Sequence, residues 1–465
     1  MKSKTSFFKL TLESLRRNKT AIFITVIGYI LYLFLFAFKL KQNENPINTP
    51  LFELWRPSQI ENFVASLTGV YLGCAFFRHL HSKSETDFYN SMPIRKIDQF
   101  CANTVACISL YTIIIVAVTG FKLLLLCQVP ETYDYLIYLL YDFIAMYCAF
   151  LVSWISAVLA MTITGRLSTA IFMTLMLIYY IGYIGISVFT SYASTFFQTA
   201  YHPEQNYLYY LSPFTLMYQM SYPSNMKVWT LEGHWPYING CILYTLILWI
   251  ISYLLFKKRP AEAAGQTMAF PKLTDWIRFA LVIPYALFIG RKCYYRLFFD
   301  SYFWIYFPTI FGCIMLFVIF EGILHHDIRA AFRKKLQLVI SIVLCIGIIS
   351  VFRYDIFGHD QKVPKASSLS SITIEVYAWG EKLGTDTINK KITGEKEIEQ
   401  ALIALDEARI NNLTEKSTNK RFQLTYTVTY QYKIGIKQYR QYKTHWDYIP
   451  TNTDTILPEL DFNDW

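Results

Sequence analysis

The sequence has little charge and lacks the short motifs on which a catalytic site would depend. Of its 465 residues, 16% are charged, whereas 54% are hydrophobic and 18% are aromatic. It contains no Gly-x-x-x-x-Gly-Lys-Ser/Thr sequence for a P-loop nucleotide site, and neither His-Glu-x-x-His nor Gly-x-Ser-x-Gly. We therefore expect that the chain is not an enzyme, has no catalytic residues and holds no cofactor itself.

The cysteines exclude two further classes of site. None of the nine cysteines forms a Cys-x-x-Cys pair, and all of them lie in or beside apolar segments. Zinc sites and disulfide frameworks have characteristic cysteine spacings, which are missing here. We expect no metal site and interpret the cysteines as small core residues.

Long apolar runs are what the sequence has in abundance. A membrane-crossing helix needs about 20 mostly apolar residues. The runs predict about nine spans, at residues 21–38, 59–77, 100–121, 135–164, 169–189, 237–256, 276–290, 302–320 and 336–352. The fold class is therefore a polytopic α-helical membrane protein. The run 276–290 is short and contains Arg278 and Pro284, so it either spans the membrane or lies on its surface.

Basic residues near the ends of these runs predict an orientation. The net charge of +10 is concentrated beside apolar segments, where Lys and Arg set topology and meet anionic lipid. We therefore expect membrane lipid, and no nucleic acid, as a partner. The basic residues alternate from loop to loop in a way that places the N-terminus in the cytoplasm. Residues 1–20 predict an amphipathic helix in the headgroup plane, with an ordinary juxtamembrane tail as the alternative.

Two segments differ in composition from the spans. Residues 191–236 are rich in aromatic residues, as is typical of the membrane interface, and are predicted to lie outside the cell. Residues 353–465 are polar, and alternation within 370–379 and 421–445 predicts strands. Between them, Ile398, Leu402, Leu405 and Ile410 predict the apolar face of one helix. We expect a small α+β domain here.

A few ionisable residues fall within the predicted spans. Asp142 is the most informative, because an acidic residue inside a span usually faces a cavity or a partner. It is a candidate for a translocation path, with an interfacial position as the alternative. Glu61 and Lys122 are expected to lie near the interface and to extend towards the headgroups.

The stretch ETDFYNSMPIRKI, residues 85–97, lies between the second and third predicted spans. It combines two adjacent aromatic residues with Pro93, which disfavours helix at Met92. Aromatic side chains on a short rigid element suit docking to another protein. The alternative is a plain loop whose aromatic side chains lie on the bilayer surface.

This stretch resembles a signature of ABC-2-type transporter permeases from Gram-positive bacteria, in which Asp-Phe-Tyr-His-Ser-Leu-Pro is followed by two basic residues. Asn90 replaces the His, Met92 replaces the Leu, and Ile97 replaces a following acidic residue. The segments RPAEAAGQTMAFPKL at 259–273, FRKKLQL at 332–338 and FRYDIFGHDQKVP at 352–364 resemble further parts of the large members. The matching residues of the first motif are Asp87, Phe88, Tyr89, Ser91, Pro93, Arg95 and Lys96.

The resemblance implies a six-helix permease core at 21–256, further membrane helices at 257–352 and an extracellular domain at 353–465. It also implies that 85–97 is a coupling loop that docks on a separate cytoplasmic ABC ATPase, which would bind ATP and Mg. A second permease subunit, identical or related, would complete the transporter. The implied docking residues are Phe88, Tyr89, Met92 and Pro93, with polar contacts from Asp87, Arg95 and Lys96.

The function predicted from this resemblance is that of a cell-membrane permease subunit of an ATP-driven exporter. Its substrate would be an amphipathic peptide, an antibiotic or a lipid. An alternative is a non-transporting membrane sensor or scaffold whose outer domain binds a ligand. A membrane enzyme acting on lipids is a third class, which the absence of a clustered nucleophile, base or metal set disfavours.

Overall fold

A computed structural model gives the fold of most of the chain. It describes residues 7–42, 58–127, 132–179, 184–197, 199–200, 212–221, 231–297, 302–325, 334–359, 362, 364–380, 386–414, 422–433 and 437–445. The described residues divide into two compact units. The first unit comprises parts of Met1–Ile186, Tyr207–Val282 and Leu316–Lys335, and the second comprises parts of Ser187–Asn206, Ile283–Met315 and Leu336–Trp465.

Helices account for most of the described residues. Those before the outer segment are α1 (Phe7–Arg17), α2 (Lys19–Gln42), α3 (Gln59–Phe77), α4 (Lys83–Ser91), α5 (Lys96–Leu126), α6 (Thr132–Ile163), α7 (Leu167–Tyr179) and α8 (Ile186–Phe196). Those after it are α9 (Pro213–Ser221), α10 (Leu231–Lys258), α11 (Pro271–Leu297), α12 (Phe303–His325), α13 (Lys335–Arg353) and α14 (Glu395–Thr414).

Eight of the helices in the described part of the chain are long and apolar enough to cross a membrane, namely α2, α3, α5, α6, α10, α11, α12 and α13. Helix is the expected form for such runs, because lipid offers no hydrogen-bond partner to the backbone. Prolines occur inside three of these helices, at Pro236, Pro284 and Pro308. Neighbouring helices make such interruptions tolerable in a membrane.

Eight of the predicted spans coincide with these helices. The exception is the predicted span 169–189, because α7 ends at Tyr179 and α8 begins at Ile186. The uncertain run 276–290 belongs to α11, which is 27 residues long because it begins earlier, at Pro271, and ends later, at Leu297. Its length therefore permits a crossing. The amphipathic helix predicted for residues 1–20 is described only over α1 and the first turn of α2.

The core of the first unit is built on α3 and α6. Two glycines on one face of α3, Gly69 and Gly73, let its backbone approach that of α6 closely. A Cβ built on Gly69 would lie 2.6 Å from the carbonyl oxygen of Phe150, and one built on Gly73 would lie 2.8 Å from Cβ of Ala157. Glycine at this spacing is a known device for packing membrane helices. Trp154, which is almost fully buried, fills the adjoining space.

The second unit contains a five-stranded antiparallel sheet. Its strands are β1 (Thr199–Ala200), β2 (Leu369–Gly380), β3 (Asp386–Ile392), β4 (Phe422–Tyr432) and β5 (Lys437–His445), in the order β1-β5-β4-β2-β3. The register pairs Ile372 with Tyr430 and Ile374 with Val428, and all four side chains are buried.

Helix α14 supplies the rest of this small core. Ile398, Leu402 and Leu405 are buried with the sheet residues, whereas the side chain of Ile410 lies outside the described residues. The alternating segments identified in the sequence thus form β2, β4 and β5. Strands β1 and β3 were not predicted, since β1 has only two residues and β3 carries Lys390 and Lys391 in succession.

The boundaries of the two units differ from the predicted division of the chain. Residues 257–352 were predicted to form one additional membrane part, but they are shared between the units. Arg278 of α11 and Glu321 of α12 form a fully buried ion pair within the first unit. Of the outer segment 191–236, residue 198 and the stretches 201–211 and 222–230 fall outside the described residues.

Candidate functional site

The motif that carries the family resemblance forms a short helix and its exit. Helix α4 is anchored at its start, where the buried Thr86 donates a hydrogen bond from Oγ1 to the carbonyl oxygen of His79 at 2.8 Å. The helix ends at Ser91, and Met92 is extended, with φ −71° and ψ 140°. Pro93 imposes this conformation on the preceding residue, as predicted.

Most of the predicted docking residues are exposed on this element. The side chain of Phe88 is 57% exposed, although large apolar side chains are usually buried. Asp87, Pro93, Arg95 and Lys96 are also exposed, whereas Tyr89 and Met92 are half-buried. The element therefore offers an aromatic tip surrounded by charge.

Tyr89 differs from Phe88 because it faces the body of the first unit. Its ring lies 4.5 Å from that of His79, and the guanidinium of Arg17 in α1 lies over it at 4.6 Å. Burial raises the pKa of the Tyr89 hydroxyl, so the side chain is neutral at physiological pH. Tyr89 is thus a contact between α1 and α4 rather than part of the free tip.

Helix α1 is attached to α5 as well as to α4. Ser14 donates a hydrogen bond to Oδ1 of Asn103 at 2.8 Å. A groove of about 220 Å³ runs between the three helices, with Arg17, Phe88 and Met92 among its lining residues. The three helices consequently form a connected platform, which we call the α1–α4–α5 platform.

Arg259 fastens the segment after α10 to the end of α6 and to the turn that follows α3. Its guanidinium donates hydrogen bonds to the carbonyl oxygens of Met161 at 2.8 Å, Thr162 at 2.6 Å and Leu80 at 2.8 Å. The carbonyls in the last turn of a helix lack partners within the helix, and a cation there also suits the helix dipole. Burial lowers the pKa of Arg259 to about 10, which leaves it charged at physiological pH.

The residues after Arg259 continue along the end of α6. The backbone N–H of Ala269 donates to the carbonyl oxygen of Ile163, and that of Gly265 donates to Gly165, both at 2.8 Å. Gly265 has a φ of +85°, a conformation that side-chain-bearing residues rarely adopt. The sequence motif at 259–273 therefore lies beside the platform, where Cε of Lys83 is close to Gly265.

Asp142 lies in a buried cluster of charges contributed by several spans. The ammonium of Lys122 is 2.7 Å from Oδ2 of Asp142 and 2.9 Å from Oε1 of Glu61, and all three side chains are at most 7% exposed. The hydroxyl of Tyr32 donates to Glu61 at 2.5 Å. The side chains of Glu61 and Lys122 do not extend outwards as expected, because each finds its counter-charge inside the helix bundle. The position of Asp142 along the membrane normal stays a prediction.

A cavity of about 350 Å³ opens beside the N-terminal part of α3, which also carries Glu61. Its wall combines apolar and aromatic side chains with amide and hydroxyl groups, as small-molecule sites commonly do. The lining residues are Gln59, Ile60, Asn62, Phe63 and Ser66 of α3, Tyr179 of α7, and Phe214, Met217 and Tyr218 of α9.

Sequence reasoning missed several of these residues. Arg259 belongs to a quoted motif, but its bonds to Leu80 and Met161 join positions far apart in the chain. Two local signals were present in the sequence. Ser58 and Glu61 have the spacing of a capping box, and they form that cap. Gly69 and Gly73 have the small-residue spacing of closely packed membrane helices. Among the described residues, no group of three or more His, Cys, Asp and Glu side chains could hold a metal ion.

No family model, curated protein or solved structure matches this chain. Its resemblance to ABC-2-type permeases therefore remains a prediction from the motifs. The contacts described above are the basis on which a function can be proposed.

Proposed function

We propose that this chain is the membrane permease subunit of an ATP-driven exporter, and that α4 and its exit, up to Lys96, couple it to a separate cytoplasmic ATPase. The observation that carries the proposal is the exposed Phe88 on an anchored helix between two candidate spans. An exposed aromatic anchor with a charged rim is the composition of a protein-docking site.

The attachments of α4 would let it transmit a push from the ATPase. Its start is tied to the end of α3 through Thr86 and His79, and its exit leads directly into α5. Tyr89 connects it to α1 through Arg17. A displacement of the tip would therefore reach α3, α5 and α1. Its route into α5 is the continuous backbone rather than a side-chain contact.

The cavity beside α3 supports an amphipathic substrate. Phe63, Phe214 and Met217 would contact apolar groups, while Asn62 and Ser66 would contact polar ones. A peptide, antibiotic or lipid has both kinds of group. A second permease subunit, identical or related, would complete the path.

The proposed orientation places the N-terminus and α4 in the cytoplasm and the sheet domain outside the cell. Basic residues near α4 and at the end of α10 favour this sidedness. The orientation requires that the segment 169–189 also crosses the membrane, which makes the number of crossings odd.

The test is co-purification of the partner from native membranes with the tagged full-length chain. We expect a P-loop ATPase to co-purify, and Phe88→Ala to reduce its recovery at least about tenfold, the loss of a typical hot-spot side chain. Phe357→Ala is the matched control, because Phe357 is also exposed, at 72%, but lies after α13. Membrane insertion and yield should be the same for both variants.

Two results would contradict the proposal. If no ATPase co-purifies with the wild-type chain, the sensor or scaffold function takes its place. If Phe88→Ala and Phe357→Ala recover equal amounts of ATPase, α4 is not the docking element.

A further inference from the structure

The buried cluster around Lys122 contains more acidic than basic groups. Glu61 and Asp142 both contact the single ammonium of Lys122, and none of the three side chains has appreciable access to solvent. If both carboxyl groups were ionised, the cluster would hold one uncompensated negative charge. Such a charge in a low-dielectric interior is strongly unfavourable and is relieved by binding a proton.

The two carboxyl groups have unequal numbers of donors. Glu61 accepts from Lys122 at 2.9 Å, from the Tyr32 hydroxyl at 2.5 Å and from the backbone N–H of Ser58 at 3.2 Å. Asp142 accepts at Oδ2 from Lys122 at 2.7 Å, while its buried Oδ1 has no hydrogen-bond partner among the described residues. Because donors stabilise the ionised form, Glu61 is the carboxylate and Oδ1 of Asp142 is the place for a proton.

Among the residues that the structure describes, the surroundings of Asp142 offer no second cation to balance the charge. The groups that interact with it electrostatically come from each neighbouring helix of the cluster. They are Tyr29 and Tyr32 of α2, Glu61 of α3, and Tyr111 and Lys122 of α5. Of these, only Lys122 carries a positive charge.

We propose that Asp142 is a proton-binding site, at which a proton from water bonds to Oδ1 and leaves Glu61 and Lys122 as a neutral ion pair. The site is assembled from four helices, α2, α3, α5 and α6, so their separation would change how strongly the proton is held.

This proposal gains a functional meaning if the proposed exporter function is right. A transport cycle that moves α3 and α5 through α4 would open and close the proton site once per cycle. Export would then depend on pH through Asp142, although ATP would supply the energy.

The test is infrared spectroscopy of the full chain purified into lipid nanodiscs. A protonated carboxyl group has a C=O stretching band distinct from those of carboxylates. We expect this band at neutral pH, its loss in Asp142→Asn and its retention in Glu321→Gln. Glu321 is the matched control because it is equally buried but is balanced by Arg278.

A second measurement keeps the proposal testable if Asp142→Asn does not fold. Wild-type protein labelled with ¹³C at the aspartate side-chain carboxyl should show the band shifted, and glutamate-labelled protein should not. Absence of the band at neutral pH, or a shift with labelled glutamate only, would overturn the proposal. Neither measurement uses an ATPase or a substrate, so the result is separate from the test of the exporter function.

Discussion

The close packing of α3 on α6 makes a quantitative prediction about single glycines. Gly69→Ala would place a Cβ 2.6 Å from the carbonyl oxygen of Phe150 and 2.9 Å from the backbone nitrogen of Trp154. Favourable contacts occur at about 3.5–4.0 Å. Both neighbours are backbone atoms, which cannot rotate away as a side chain can. The two helices must therefore move apart by about 1 Å at this contact.

The expected cost follows from comparing this position with an open one. Overpacking a well-packed core costs about 1–3 kcal/mol. Replacing glycine by alanine also favours any helix by up to about 1 kcal/mol, which partly masks that cost. A Cβ added to Gly28 of α2 would meet nothing within 4 Å, so Gly28→Ala reports the helix preference alone. We therefore expect Gly69→Ala to be less stable than Gly28→Ala by about 1–3 kcal/mol.

The assay is the free energy of unfolding of the purified chain in mixed micelles, followed by circular dichroism as a denaturing detergent is added. Gly73→Ala should behave like Gly69→Ala, since a Cβ there would lie 2.8 Å from Ala157. Equal stabilities of Gly69→Ala and Gly28→Ala would refute the close approach of α3 and α6 and the packing argument built on it.

Three further predictions concern other parts of the molecule. Arg259→Leu should lower the free energy of unfolding by about 2–5 kcal/mol in the same assay, because three carbonyls lose a charged donor. An unchanged free energy of unfolding would mean that water replaces the guanidinium. Lys122→Met should cost about 3–5 kcal/mol, since it leaves the buried carboxylate of Glu61 without a counter-charge. That cost should shrink as pH falls and the carboxylate of Glu61 becomes neutral, whereas the half-exposed Lys334 should tolerate Lys334→Met with a change below about 1 kcal/mol. Finally, a cysteine introduced at Ile403, which is 53% exposed on α14, should react with a membrane-impermeant reagent in intact cells, above the wild-type background; labelling only after lysis would place the sheet domain inside.

The choice of variants depends on contacts that only the folded chain shows. Ile403 suits the labelling experiment because its side chain is exposed on α14. Tyr89→Ala is less informative about docking than Phe88→Ala, because it also removes the contacts with His79 and Arg17. Phe88 is therefore the position at which docking can be separated from folding.

Much of the candidate coupling element could be predicted because its signals are local. Pro93 acts on the residue before it, and Met92 is extended as expected. What could not be predicted was which of two adjacent aromatic residues is free. That depends on Arg17 and His79, which approach Tyr89 only when α1 packs against α4.

By itself the sequence determined the helical character of the chain and the positions of eight helices that are able to cross a membrane. It could do so because transfer to lipid and backbone hydrogen bonding depend on the composition of one continuous run. Only the tertiary structure decided that Glu61, Lys122 and Asp142 share one buried site and that Arg259 caps the end of α6. These contacts join residues from different helices, and the energy of a buried charge depends on the partner that packing brings to it rather than on its neighbours in the sequence.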